Sequence, residues 1–267
     1  MCLEEPYRLS AKSIEQFRRE GFIRLPDVFD EKVLGHYGEE ITSITLASQQ
    51  HHDVPMEERT TYQRAFIQVV NLWCRSSLAR EFSFSKRLAR IAAELLGTSG
   101  IRLWHDQALY KEPSGGFTPW HVDQQYWPMA TSQCVTAWIP LQAVSSEMGP
   151  LSFAVHSHLK QLGRDLEISD ESEIAINEMT KKHGLQESSE PFELGTISFH
   201  YGWTLHRAGP NTTDRPRKVH TVIYMDQDMQ LAEPANQNQH NDWKTWTPST
   251  KIGEVMDDPL NPILYSV

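Results

Sequence analysis

Residues 120–128 read Trp-His-Val-Asp-Gln-Gln-Tyr-Trp-Pro, and His206 and Arg217 follow downstream. In an extended segment side chains two apart share a face, so His121 and Asp123 can reach one ion together. Two imidazoles and one carboxylate leave half of an octahedron open, the donor set of non-haem Fe(II) oxygenases. Arginine after the distal histidine adds a fork-shaped donor suited to a carboxylate. The quoted stretch also lies just past a change of character in the chain: helical patterns fill the first hundred residues, and short strand patterns follow.

His-x-Asp alone carries no weight, because the chain holds three copies: His51-x-Asp53, His121-x-Asp123 and His240-x-Asp242. His51 falls in a polar loop, and His240 has no later histidine to complete a site. Only His121 borders the strand-rich region. Its third partner is to be chosen among His156, His158, His183, His200, His206 and His220. His206 is the first choice, at a strand end in Gly-Trp-Thr-Leu-His-Arg-Ala-Gly-Pro-Asn, with His200 the runner-up. His220, between Val219 and Thr221-Val222, reads as a partly buried strand residue. Zinc would accept the same ligands. Arg217 tips the choice toward iron, because a guanidinium that opens an apolar strand needs an anion to offset its desolvation. A zinc-dependent hydrolase and a catalytically silent binding protein remain the competing readings.

Working outward, Ser10 or Ser13 can cap a first helix that Gly21 ends, and Phe22-Ile23-Arg24-Leu25 reads as a short strand. Helical stretches are expected at about 31–47, 65–73 and 85–96, with a polar loop from 48 to 61. After Gly100 the runs 101–111, 135–141, 151–155, 195–201 and 218–226 are rich in β-branched and aromatic residues and separated by Gly, Pro and Asn. Strands at this spacing without intervening helices indicate an antiparallel sandwich or barrel. The charged segment 164–190 reads as a surface excursion or lid, and the tail beyond Gln230, with Trp243 and Trp246, as packing back on the barrel or closing its mouth.

Bulk properties narrow the partners. At 267 residues one all-β-type domain is expected, divided into a mainly helical part (1–100), a strand-rich core (101–230) and a tail (231–267). A net charge of −10 disfavours nucleic acid and anionic membrane. Cys2, Cys74 and Cys134 are an odd set without a repeated spacing, which fits a reducing compartment. No apolar run approaches the roughly 20 residues of a membrane span. The start MCLEEPYRLS lacks the apolar stretch of a signal peptide, and LYSV is not a peroxisomal address. A cytoplasmic protein is the expectation; oligomeric state is not legible.

The ordered series Leu9-Ser10…Phe17…Gly21-Phe22-Ile23…Leu25, Leu95-Leu96-Gly97, Tyr110-Lys111-Glu112-Pro113, residues 120–128, Trp138-Ile139-Pro140-Leu141, Gly149-Pro150-Leu151-Ser152-Phe153, Ser157-His158 and His206…Asn211…Arg217 resembles the phytanoyl-CoA dioxygenase family over nearly the whole chain. The resemblance implies a mainly β fold, a double-stranded β-helix (jelly roll, cupin-like) with an N-terminal helical region. It implies Fe(II) on His121, Asp123 and His206, and 2-oxoglutarate held by Arg217, with Gln107 and Trp138 lining the cosubstrate pocket. Two positions depart from the family pattern: Ala208 stands where relatives often carry a hydroxyl, and His156 replaces the glycine of a Gly-Ser-His turn.

The expected activity is a 2-oxoglutarate- and O₂-consuming dioxygenase that oxidises, and most simply hydroxylates, a C–H bond with release of succinate and CO₂. Because Asp123 is present, halogenation is disfavoured. Gln68, Trp127 and Trp203 are candidate substrate contacts. A small metabolite or natural-product intermediate of secondary metabolism ranks first as substrate. An acyl-CoA ranks second, since Lys181-Lys182 is the one obvious cationic pair for its phosphates.

Overall fold

Two antiparallel sheets face each other across a cavity, and helices from the first hundred residues pack on the outer face of the larger one. This computed structural model describes residues 3–48 and 53–267. Cys2 and His51 fall outside them.

Helix α1 (Ala11–Glu20) starts at Ser10, whose side chain accepts from the Ser13 amide, and ends at Gly21 with φ +92°. A left-handed cap of this kind costs glycine no Cβ strain. Strand β1 (Phe22–Leu25) follows as read. Asp30 caps α2 (Glu31–Ala47), and a Thr60/Gln63 capping box starts the short α3 (Thr61–Ala65). The expected helix over 65–73 does not form. Ile67–Val70 is instead strand β2, followed by a single 3₁₀ turn at Leu72–Cys74. Ile67-Gln68-Val69-Val70 is rich in β-branched residues, and pairing with the long strand β3 (Gly100–Tyr110) decides the matter, in the register Ile67↔Tyr110 and Val70↔Gln107. Helix α4 (Ser77–Ser83) and the strongly amphipathic α5 (Lys86–Leu96) complete the helical layer. Leu88, Ile91, Ala92 and Leu95 of α5 are buried against the sheet.

The remaining strands are β4 (Thr118–His121), β5 (Cys134–Pro140), β6 (Leu151–Ala154), β7 (Glu187–Ser189), β8 (Ile197–Tyr201), β9 (His206–Ala208), β10 (Val219–Asp226) and β11 (Ile263–Ser266). Among the described residues the major sheet runs β1-β8-β5-β10-β3-β11, with β2 also on β3, and the minor sheet runs β4-β9-β6-β7. The fold is therefore a jelly roll, mainly antiparallel β with flanking helices. Helix α6 (Asp170–Lys182) occupies the charged 164–190 excursion, and Gly184 follows its end with φ +61°. In the tail, α7 (Gln237–Trp246) folds back over the cavity mouth, and β11 pairs with the start of β3.

One buried polar relay ties the helical layer to the sheet. Ser83 Oγ donates to Asp106 Oδ2 (2.6 Å) and lies 2.9 Å from His220 Nε2. The Trp73 amide donates to the same carboxylate oxygen (3.1 Å). Because the Ser83 hydroxyl proton is committed to Asp106, His220 donates to Ser83 from Nε2, and burial keeps its ring neutral with a pKa near 3. His220 is thus fully buried rather than partly so. No helix among the described residues is long and apolar enough to cross a membrane. Cys74 and Cys134 are both free thiols.

Candidate metal centre and its cavity

Strands β4 and β9 of the minor sheet are paired in the register His121↔His206, which brings the two imidazoles opposite each other with ring centroids 4.1 Å apart. Asp123 starts the 3₁₀ turn immediately after β4, and its carboxylate comes back under both rings. One donor atom from each of His121, Asp123 and His206 lies within 4.8 Å of the others, a spacing that can hold a metal ion.

Backbone carbonyls set the tautomers. His121 Nδ1 lies 2.8 Å from the Pro119 carbonyl and His206 Nδ1 lies 2.9 Å from that of Thr204. Each Nδ1–H is thereby committed, which leaves both Nε2 lone pairs facing the Asp123 carboxylate. Burial lowers the pKa of both imidazoles, so they present neutral nitrogens. Burial opposes an ionised Asp123, whereas donation from His200 favours it and helps hold the carboxyl below the usual carboxylate range. Its Oδ2 accepts from Thr136 Oγ1 (2.8 Å) and from His200 Nε2 (3.1 Å), so Oδ1 is the oxygen turned toward His121 and His206. The runner-up His200 therefore holds the carboxylate from behind.

Arg217 precedes β10 and pairs through its backbone with Lys111. Its side chain is 2% exposed and lies 5.4 Å from the Trp138 ring. Nη1 donates to the Gly149 carbonyl (2.5 Å), whereas Nε is buried without a partner. No carboxylate among the described residues pairs with it, and burial pulls the guanidinium toward pKa 9. Lys111 is buried close by, its ammonium on Gly116 O and Thr118 Oγ1 and also held low by burial. Arg217, a desolvated guanidinium on the cavity wall with no counter-charge among the described residues, can take an anion.

A single cavity of about 360 Å³ joins these parts. It is lined by His121, Asp123, His206 and Arg217, by Gln68, Gln107, Trp127 and Trp138, and by Ala208, the position that departs from the family pattern. Gln68 Nε2 donates to Gln107 Oε1 (2.6 Å) and Tyr62 Oη donates to Gln68 Oε1 (2.7 Å), which links three lining side chains. Trp203 is not among the lining residues. It packs with Trp120, Val122, Ile176 and Leu205 beside α6, under the Arg164 guanidinium. Lys181 and Lys182 sit exposed at the end of α6, away from the cavity. His156 adopts φ +65°, a conformation that accounts for glycine in the related turn.

Tyr62, Phe66, His105, Thr136 and Asp242, none of them a candidate site residue in the sequence, also line the cavity, as does Trp246 of the tail expected to pack on the barrel or close its mouth. Asp242 belongs to the His-x-Asp copy set aside for want of a partner histidine. A signal was present in the i, i+4 spacing of Asp242 and Trp246, which puts both on one face of α7.

The chain matches the family model described as phytanoyl-CoA dioxygenase (PhyH) over residues 17–219. It is 25% identical over 150 residues to a probable alpha-ketoglutarate-dependent hypophosphite dioxygenase of Stutzerimonas stutzeri, and spans about half (50%) of that relative's length. Among solved structures, the non-heme alpha ketoglutarate dependent carbocyclase SnoK from nogalamycin biosynthesis is similar at TM-score 0.75 and 23% identity, over 97% of this chain and 99% of that one. EctD from S. alaskensis with 2-oxoglutarate and 5-hydroxyectoine gives TM-score 0.69 at 19% identity, over 88% and 84%. At these identities the structural likeness establishes the jelly-roll fold.

Proposed function

The chain belongs to the phytanoyl-CoA dioxygenase family, and from that premise we propose that it is a non-haem Fe(II)- and 2-oxoglutarate-dependent dioxygenase acting on a C–H bond of a small metabolite or natural-product intermediate. One observation carries the reading: His121, Asp123 and His206 offer three ligand atoms within 4.8 Å of one another, in the same cavity as an Arg217 with no counter-ion among the described residues. A zinc hydrolase needs the triad but not the arginine.

Fe(II) and 2-oxoglutarate, when bound, supply oxidative decarboxylation to succinate and CO₂ coupled to O₂ activation at a C–H bond. The chain's part is positional. His121 and His206 present neutral Nε2 atoms, while Thr136 and His200 fix the Asp123 carboxylate. Arg217, steadied by Gly149 O and Trp138, would hold the distal carboxylate of the cosubstrate, and Gln107 lines the same cavity. The aromatic residues at the outer end exclude water and orient the substrate. Hydroxylation is the simplest outcome.

An acyl-CoA substrate fits less well. Arg217 is the sole Lys or Arg among the lining residues, and the outer wall carries Asp242 instead of a phosphate-binding cation.

Anaerobic addition of 2-oxoglutarate to the Fe(II)-loaded protein is expected to give a weak visible charge-transfer band. Asp123→Ala should abolish it. Arg217→Met should raise the 2-oxoglutarate requirement about 100-fold while leaving Fe(II) uptake intact, in line with about 3 kcal/mol for an unpaired buried charge. Undiminished succinate formation by Asp123→Ala would refute the assignment of that ligand.

A further inference from the structure

The cavity has opposite charges at its two ends. Arg217 stands before β10, facing Lys111 at the end of β3. Farther along the same strand pair, Ile223 faces His105, whose ring lies 5.1 Å from that of Trp246. Six residues of strand separate the two positions, roughly 20 Å at about 3.3 Å per residue. Asp242 lies one helical turn from Trp246 on α7, on the cavity wall. No Lys or Arg among the described residues forms an ion pair with it. It shares the cavity wall with Tyr62, Phe66, Tyr126, Trp127 and Trp246.

Several observations bring those rings and the carboxylate together. Burial is the main cause that raises the pKa of the Tyr62 and Tyr126 phenols, and the charges of Asp242 and Asp123 each add to it, so both rings stand between the two carboxylates. Tyr126 is held in place by donation from the Ile168 amide to its hydroxyl (3.0 Å). Tyr62 is fixed by its bond to Gln68 and by edge-on packing against Phe66 at 5.2 Å. Desolvation lifts the Asp242 carboxyl to about pKa 7, which the Trp246 indole N–H offsets only in part. A carboxylate so placed, without a cationic partner of its own, is costly unless a ligand supplies the positive charge.

We infer that the Asp242 end of this cavity binds an ammonium group of the substrate, whose natural substrates are therefore small organic cations with an amino group on a ring or apolar body. The inference rests on the proposed dioxygenase function and names the substrate class of that site. The carboxylate neutralises the charge, and the aromatic faces of Tyr62, Tyr126 and Trp246 take the desolvated cation and the body attached to it. The same arrangement selects against phosphorylated carriers, because Asp242 repels them at the mouth. The anionic cosubstrate and the cationic substrate are sorted to opposite ends of one cavity.

The test uses full-length protein loaded anaerobically with Fe(II) and 2-oxoglutarate, titrated with 2-phenylethylamine and, separately, with its near-isosteric alcohol 2-phenylethanol. Binding is read by calorimetry at pH 8. The amine is expected to bind about tenfold or more tightly than the alcohol, and Asp242→Asn should remove that preference while the 2-oxoglutarate affinity is kept. Trp246→Leu, which leaves the carboxylate in place, should weaken the amine as well. Equal binding of the two probes, no amine binding at millimolar concentration, or a preference that survives Asp242→Asn would overturn the inference. Failure of the dioxygenase reading itself shows separately, as absence of the charge-transfer band before any amine is added.

Discussion

Asp123 uses its two carboxylate oxygens for different tasks. Oδ2 is taken by Thr136 and His200, and Oδ1 is left facing His121 and His206. His200 thereby acts as a positioning residue. His200→Leu is expected to weaken Fe(II) binding 10–100-fold, and His200→Gln, which retains a donor, to recover most of it. Competition with a chelator reads this without turnover; equal affinities for the Leu and Gln variants would show that the ring merely fills space. Asp242 has a different vulnerability. Its folded-state pKa of about 7 lies above the ordinary value of 3.8, so the protonated form is favoured by folding. The associated stability is present below about pH 4 and is lost as pH rises through 7. Asp242→Asn mimics the protonated acid. Without ligand it should leave stability unchanged at pH 4 and raise it by about 1–2 kcal/mol at pH 8, a discounted value because the side chain is only half-buried. Thermal melts of both proteins across that range check the sign. Tyr62, Tyr126, His105 and Trp246 face the same volume, and the phenols stay protonated throughout.

At the scale of elements, the turn between β5 and β6 holds the Arg217 guanidinium in place. Gly149 has φ +68°, and a Cβ there would come within 2.1 Å of the Gly209 carbonyl oxygen. The two loops meet backbone to backbone, and the Gly149 carbonyl is then free to hold Arg217. Gly149→Ala should destabilise the protein by at least about 2 kcal/mol in urea unfolding and weaken 2-oxoglutarate more than Fe(II). The turn was visible in the sequence as Gly149-Pro150, but not its partner loop. Element length explains most of what was and was not legible. β3, β5 and β10 run for seven residues or more and declare themselves by composition. β4 and β9, which carry the histidines, have four and three residues, too few for an alternation to register. The 65–73 segment was misread because a short apolar run fits either period, and only the neighbouring strand β3 resolves it.

Across the whole molecule, His121, Asp123, His206 and Arg217 could be picked out from their order and from the strand patterns around them, and the structure brings all four to one cavity. The wall around Asp242 could not be picked out in the same way. Tyr62 comes from α3, Tyr126 from the turn after β4, and Asp242 and Trp246 from α7, far apart in the chain and joined only by the closure of the fold. Beyond the i, i+4 spacing of Asp242 and Trp246, nothing in local sequence marks such a wall. Trp203 shows the converse, an aromatic residue near the distal histidine that packs against α6 outside the cavity. The tail reading was nearer the mark, since α7 both packs on the strands and supplies the mouth.

That mouth has a kinetic corollary. Arg217 lies at the closed end, beneath Trp138, whereas Tyr62 and Asp242 border the opening. Whatever occupies the vestibule bars the passage behind it. Turnover should accordingly follow a compulsory sequence, keto acid first and amine second, with excess amine trapping unloaded protein in a dead-end state. Initial-rate patterns decide this: inhibition by surplus amine relieved by raising 2-oxoglutarate is expected, and random-order kinetics would mean that the vestibule opens by another route.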